Sequence, residues 1–148
     1  MRELEINHIN INEINYPIYC DLNVLEAVQE EFKSVGEFER QLKGLKIKHD
    51  ENGDIVRNEN GSILHDSIEP RIKAVVYALY IMVAEGQRIE KNRSGIETEP
   101  LTIDVIREFN NVNYVELSGI LGAEFDRCFS SKKKLMEKKM RRRRKKIQ

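Results

Sequence analysis

An uncharged apolar segment, residues 74–84 with the sequence AVVYALYIMVA, most restricts how this chain can fold. In a helix this segment would span only about half of a bilayer's hydrocarbon core, so it is too short to cross a membrane. A helix that is apolar on nearly every side is stable in water only when other elements cover it. The segment therefore predicts a central, buried helix, and the 148 residues are enough for one domain around it.

The first twenty residues predict a β-hairpin. Apolar residues alternate with polar ones in two stretches, first Leu4 and Ile6, then Ile14, Tyr16, Ile18 and Cys20. The Asn-rich residues 8–15 between them predict the turn. Pro17 has no backbone N–H to donate to a ladder, so the second strand is expected at a sheet edge.

Two amphipathic helices are expected next. Asp21 is placed as the N-cap of the first, whose apolar stripe is Leu25, Val28, Phe32 and Val35. Gly36 is expected to interrupt the pattern. Phe38 and Leu42 then indicate a short second helix that ends at Gly44.

Residues 45–67 have a different pattern. Two near-copies, ENGD at residues 51–54 and ENGS at residues 59–62, separate short β-prone pieces at 45–48, 54–57 and 62–65. Asn-Gly favours hairpin turns because both residues tolerate the positive φ of a type I′ turn. The pattern predicts an exposed hairpin or meander inserted between helices.

Three further helices complete the prediction. The third begins near residues 67–70, with Pro70 in an early helical position, and a polar loop follows at 91–99. Thr102 caps a short fourth helix, and Asn113 with Glu116 resembles a capping box for the last. The predicted buried stripes are Ile72, Val75, Val76, Leu79 and Val83; Ile103, Ile106 and Phe109; and Tyr114, Leu117, Leu121, Phe125 and Cys128.

The predicted fold class is α+β, with an N-terminal β-hairpin packed on a small bundle of about four to five helices. An Asn-Gly hairpin at residues 45–67 is inserted into this domain, which covers residues 1–131. A basic, helical C-terminal tail at residues 132–148 completes the chain. No signal peptide is expected, because the first residues, MRELE, contain no apolar core.

The formal net charge of zero conceals a separation of charge. Residues 132–146 carry a net charge of +10 and the rest of the chain −10. Eleven basic residues form this candidate nucleic-acid or partner-binding tail: Lys132, Lys133, Lys134, Lys138, Lys139, Arg141, Arg142, Arg143, Arg144, Lys145 and Lys146. Such a run attracts nucleic acid or another acidic surface. The alternative is a solvated extension that the acidic body neutralises.

No catalytic, cofactor or metal site is predicted. The three histidines, His8, His49 and His65, have no Cys or carboxylate at metal-ligand spacing. Residues 50–54 begin like a calcium loop, but Ile55 stands where such a loop needs Gly, so a turn is the better interpretation. Cys20 and Cys128 are interpreted as two free, buried thiols of a reducing cytosol.

The order of the segments resembles the tail assembly chaperones of long-tailed phages and prophages of low-GC Gram-positive bacteria. The resemblance covers about residues 1–130. It is carried by residues 16–23 (YPIYCDLN), 24–26 (VLE), 30–32 (EEF), 38–42 (FERQL), the helix at 72–86, 100–102 (PLT) and 124–129 (EFDRCF).

The resemblance implies a non-enzymatic protein of the bacterial cytoplasm with no cofactor and no membrane association. Its implied partners are the tape measure protein, whose apolar helices it keeps soluble, and the tail tube protein, which it helps to recruit. Two alternatives remain: a small nucleic-acid-binding or regulatory protein that acts through the tail, and a structural head–tail joining component.

Overall fold

A computed structural model describes residues 5–129 and confirms the α+β class. The elements in chain order are β1 (Asn7–Ile11), β2 (Ile14–Ile18), α1 (Leu22–Phe32), α2 (Val35–Lys43), β3 (Leu45–Ile47), β4 (His65–Ser67), α3 (Ile72–Ser94), α4 (Ile103–Arg107) and α5, helical over residues 114–129. The strands form two antiparallel pairs, β1–β2 and β3–β4.

The N-terminal hairpin exists, but its turn is much tighter than the predicted turn over residues 8–15. Only Asn12 and Glu13 connect the strands, and both have positive φ, 51° and 70°, as a type I′ turn requires. The first strand therefore begins after Ile6 and contains Ile9 and Ile11, which are buried. The predicted Leu4–Ile6 strand is wrong as far as Ile6 is described.

The hairpin packs directly on the middle of α3. Gly86 makes this possible, because a Cβ at that position would lie 2.6 Å from the carbonyl oxygen of Pro17. At this close approach the backbone N–H of Tyr19 donates to the carbonyl of Met82 at 3.0 Å. Gly86 is thus the position on α3 against which the hairpin packs.

Asp21 caps α1 as predicted, and its side chain accepts from the N–H of Val24 at 3.2 Å. The predicted break at Gly36 is wrong. Lys33 has φ 71°, and Ser34 starts α2 by accepting from the N–H of Glu37, so Val35 belongs to α2 and not to α1. A good N-cap side chain outweighs the weak helix propensity of a glycine in the first turn.

The hydrophobic core is centred on α3, as the apolar segment predicts. Ala74, Ala78, Leu79, Met82 and Val83 are fully buried. Ile72, expected in the stripe, is 55% exposed because it stands at the first position of the helix, at its open end. Three phenylalanines, Phe32, Phe38 and Phe125, bring α1, α2 and α5 together through ring contacts of 5.2 and 5.8 Å.

Beyond α3 the helix ends differ from the sequence pattern in detail. Pro70 lies just before α3, whose N-cap is Arg71, so the predicted helical position of Pro70 is wrong. The helix continues to Ser94 and closes on Gly95, which shortens the predicted loop at 91–99. Thr102 caps α4 as predicted, and the side chain of Asn113 accepts from the N–H groups of Val115 and Glu116 at 3.1 Å.

The insert, residues 45–67, has three limbs where the sequence predicts a hairpin or meander. β3 and β4 form the root, and single bridges His49–Ile55 and Arg57–Ile63 close two further loops. At the hub the N–H of Lys48 donates to the carbonyl of Leu64, Leu64 to Val56, and Val56 to Lys48, at 2.9, 3.0 and 3.0 Å. This closed ring of hydrogen bonds relates the limbs by approximate threefold symmetry.

The two Asn-Gly loops are not the predicted type I′ turns, because only Gly53 and Gly61 have positive φ. In each loop a side chain sets the bend. Asp50 Oδ1 accepts from the N–H groups of Asn52 and Asp54, and Asn58 Oδ1 accepts from those of Asn60 and Ser62, at 2.9 to 3.0 Å. These side-chain-to-backbone bonds add to the backbone bonds of each loop, in which Asp50 N–H donates to the carbonyl of Asp54 and Asn58 N–H to that of Ser62, both at 2.9 Å.

Candidate functional site

The predicted binding residues of the basic tail, Lys132 to Lys146, lie outside the described residues. Within residues 5–129 no helix is long and apolar enough to cross a membrane. The same residues contain no group of three or more His, Cys, Asp or Glu side chains that could hold a metal ion. Candidate sites must therefore come from surface shape and from buried polar groups.

An apolar cleft lies between α3, α4 and the beginning of α5. It encloses about 190 Å³ and is lined by ten residues: Ile72, Val75, Val76, Leu79, Ile106, Arg107, Phe109, Val112, Tyr114 and Leu117. Val75, Val76 and Leu79 belong to the α3 stripe that the sequence identifies. These three residues are at most 8% exposed, so the accessible surface of the cleft comes from its other lining residues, above all Ile72.

The entrance to the cleft combines apolar surface with one positive charge. Ile72 is 55% exposed, and Phe109, Val112 and Tyr114 are half-buried. Arg107 lies in the last turn of α4 and has no ion-pair partner among residues 5–129. The cleft suits an apolar side chain of a binding partner, and Arg107 suits a carboxylate on a neighbouring residue of that partner.

A buried ion pair joins α5 to the hairpin. Glu124 is 3% exposed, and its oxygens accept from Arg127 Nε at 2.9 and 3.1 Å. Glu124 Oε1 also accepts from the backbone N–H of Cys20, and Arg127 Nη2 donates to the carbonyl of Cys20, both at 3.3 Å. Asn7 Nδ2 donates to Glu124 Oε2 at 3.0 Å, and the Arg127 guanidinium lies 4.8 Å from the ring centroid of Tyr19.

The hydrogen bond with Glu124 raises the pKa of Arg127, so the guanidinium stays charged at every physiological pH. Besides each other, the two groups bind the backbone of Cys20 and the side chain of Asn7. The pair therefore fixes the position of the hairpin, and we assign it no chemical step.

A second polar cluster lies at the start of α1. Burial, followed by a hydrogen bond with Glu85, raises the pKa of Asp21 to about 6. Glu85 is 6% exposed, accepts from Asn23 Nδ2 at 2.8 Å, and forms an ion pair with Arg88. Although burial opposes it, hydrogen bonding with Arg88, Asp21 and Asn23 lowers the pKa of Glu85. In weakly acidic solution Asp21 is therefore the member of the two that holds a proton.

The structure also places the two cysteines together. Both are free and buried, as predicted, and they line the same depression. Burial and the neighbouring Cys128 thiol raise the pKa of Cys20. In the sequence the two thiols are separate, and no spacing or motif indicates that they lie near each other, because they come from opposite ends of the described residues.

Comparisons with protein-family models, curated proteins and solved structures found no match to this chain.

Proposed function

We propose that this protein is a phage tail assembly chaperone that binds the tape measure protein, keeps its apolar helices soluble and helps recruit tail-tube subunits. It acts in the host cytoplasm by binding and carries out no chemical reaction. The resemblance in segment order motivates the proposal. The observation that carries it is the open apolar cleft between α3, α4 and α5.

The cleft has the dimensions of a site for one or two large side chains. Its volume of about 190 Å³ exceeds that of a single aromatic ring, and most of its lining is aliphatic or aromatic. An amphipathic helix binds such a groove through residues spaced three or four positions apart. A tape measure protein consists of long apolar helices in the family that this chain resembles, and these supply such residues in every turn.

The entrance adds a selective element. Arg107 stands at the edge of the cleft and is available for a carboxylate one turn from the inserted side chain. A pair of this kind at the rim contributes modestly to affinity and mainly selects orientation. The expected partner helix therefore carries a large apolar residue next to an Asp or Glu.

Co-expression with a tape measure protein from the same genome tests the proposal. The wild-type protein is expected to raise the soluble fraction of the tape measure protein and to co-purify with it. Unchanged solubility together with no co-purification would contradict the chaperone function.

A matched pair of variants tests the cleft itself. Ile72→Asp places a charge at the entrance, whereas Ile14→Asp places one at an equally exposed position of β2, since the two isoleucines are 55% and 54% exposed. Ile72→Asp should lose most of the solubilising effect and Ile14→Asp should keep it. Equal activity of both variants would remove the cleft from the mechanism while leaving the chaperone proposal intact.

The basic run supports a second candidate, a nucleic-acid-binding or regulatory protein. Its net charge of +10 over residues 132–146 predicts binding that weakens steeply with added salt. Deleting residues 132–148 should abolish binding to a DNA duplex. Equal binding by the truncated chain would exclude this candidate, and recovery of the protein in purified virions would instead favour a head–tail joining component.

A further inference from the structure

Cys20 and Cys128 form a pair of thiols at the joint between the hairpin and the last helix. Cys20 follows β2 and is 2% exposed, and Cys128 lies on the buried side of α5 and is 6% exposed. Both line one depression, and Arg127, the residue before Cys128, donates to the carbonyl of Cys20. No other cysteine occurs in the chain.

The backbone around the pair is held from both sides. Glu124 lies one helical turn before Cys128, and it accepts from the N–H of Cys20 while Arg127 donates to the carbonyl of Cys20. The N–H and the carbonyl of Cys20 are thereby both bonded to the turn of α5 that carries Cys128. The packing of two distant segments therefore places both cysteines at one depression.

Small reagents can approach this pair. Both cysteines line an open depression of about 340 Å³, together with Tyr19, Asp21, Leu22 and Arg127. Leu22 is 66% exposed at its edge. Thiol–disulfide exchange requires access to one sulfur only, because the second thiol then attacks from inside.

We propose that Cys20 and Cys128 are an oxidation site that closes to an intramolecular disulfide by exchange with a small-molecule disulfide such as oxidised glutathione. This inference is independent of the chaperone function. The new bond would join the end of β2 covalently to α5, across the joint that the Glu124–Arg127 pair already holds.

The exchange proceeds in two balanced steps. The Cys128 sulfur gives up its proton and attacks one sulfur of the reagent, and the first small thiolate leaves and takes that proton. The Cys20 sulfur then gives up its proton and attacks the Cys128 sulfur, which releases the second small thiolate to accept it. The protein loses two electrons and two protons, and the reagent is reduced to two thiols.

The environments of the two thiols set this order. Cys128 is the more exposed of the pair, at 6% against 2%. Burial, the Cys128 thiol and the Glu124 carboxylate all raise the pKa of Cys20, so Cys20 is protonated at neutral pH and is the poorer nucleophile. Cys128 therefore forms the mixed disulfide and Cys20 resolves it.

Intact-mass measurement of the full chain tests the proposal. After incubation with oxidised glutathione and alkylation of free thiols, the monomer should weigh two hydrogen atoms less and carry no alkyl group. Digestion should release one fragment that contains both cysteines. Two alkylated thiols, a stable glutathione adduct, or a disulfide between two chains would each overturn the proposal.

Single variants and unfolding provide the controls. Cys20→Ser should stop at the glutathione adduct and form it faster than Cys128→Ser; the reverse rates would overturn the assigned order. In concentrated urea the unfolded chain must close a loop of roughly 100 residues, so the disulfide fraction at a fixed glutathione ratio should fall by about tenfold or more. An equal fraction in the folded and unfolded protein would show that the fold does not pair the thiols.

Discussion

The helical body and the insert are ordered by different means. In the body, residues from distant parts of the chain meet: Ile18, Phe38, Leu79 and Phe125 are all at most 1% exposed. In the insert every residue from 45 to 67 is exposed or half-buried, and hydrogen bonds between near neighbours set its shape. One short chain thus contains a segment stabilised mainly by burial and a segment stabilised mainly by backbone and side-chain hydrogen bonds.

The joint between the two regions is narrow. Gly44 has φ 73°, and a Cβ there would lie 2.3 Å from the carbonyl oxygen of Ile68. The N–H of Ile68 donates to the carbonyl of Gly44 at 2.8 Å. The insert therefore leaves and re-enters the body at one point, so changes in its loops should have little effect on the core.

Core truncation should produce the largest effect. Phe38→Ala removes a side chain that is 0% exposed and contacts Phe32 and Phe125, so it should lower the free energy of unfolding by about 3–5 kcal/mol. Leu64→Ala at the hub of the insert, where Leu64 is 37% exposed, should cost about 1 kcal/mol or less. Urea denaturation measures both, and equal losses would contradict the division between body and insert.

The seat of the hairpin on α3 should give the next largest effect. Gly86→Ala forces Pro17 away from the helix and should cost about 2–3 kcal/mol despite the better helix propensity of alanine. Gly119→Ala in α5 meets no atom within 4 Å and should instead stabilise by about 0.5–1 kcal/mol. The midpoint of thermal denaturation should fall for Gly86→Ala and rise for Gly119→Ala. Shifts in the same direction would show that the close approach of Pro17 to Gly86 does not limit stability.

The carboxyl pair should make the stability of the body depend on pH. Because folding raises the pKa of Asp21 from 3.8 to about 6, the folded state holds a proton that the unfolded chain has lost over this interval. The free energy of unfolding should therefore fall as pH rises from about 4 to 6, and then level off. The lowered pKa of Glu85 acts oppositely, with stability lost as pH falls below about 4.5.

Asp21→Asn should remove the decline between pH 4 and 6, on the order of 1 kcal/mol for a partly exposed carboxyl, while keeping the N-cap. Asp66→Asn, at an exposed position of β4, serves as the control. Denaturation curves across this range measure the effect. A decline that persists in Asp21→Asn would show that another group is responsible.

The smallest expected effect concerns the loops of the insert. Asp50→Ala removes an acceptor of two backbone N–H groups, and Asn58→Ala does the same in the second loop. Each should change the global free energy of unfolding by less than about 1 kcal/mol. Amide hydrogen exchange should accelerate in the altered loop only, and acceleration in α3 would show that the insert and the body unfold together.

Much of the local structure could be predicted because its causes lie within a few residues. Asp21, Thr102 and Asn113 cap the helices as expected, since a side chain satisfies N–H groups two or three positions ahead. Gly44 ends α2 for an equally local reason. The stripes that contain Leu79 and Leu121 follow from helical periodicity alone.

The errors occurred where two local signals compete. Gly36 weakens a helix, but the Ser34 cap starts one through it. The Asn-Gly pairs favour a two-residue turn. Asp50 and Asn58, which precede these pairs, instead bend each loop by accepting hydrogen bonds from backbone N–H groups two residues ahead. In the first hairpin several Asn residues are equally suited to the turn, and only the burial of Ile9 and Ile11 against the body decides the register.

By itself, then, the sequence determined the class of fold, the helix caps, the buried faces and the uneven distribution of charge, because each depends on neighbouring residues. Only the tertiary structure decided that Gly86 seats the hairpin, that Asp21 meets Glu85, that Cys20 meets Cys128, and that an apolar cleft stays open beside α3. These contacts join residues far apart in the chain. Their partners are set by how the elements pack, and no spacing within the sequence encodes that packing directly.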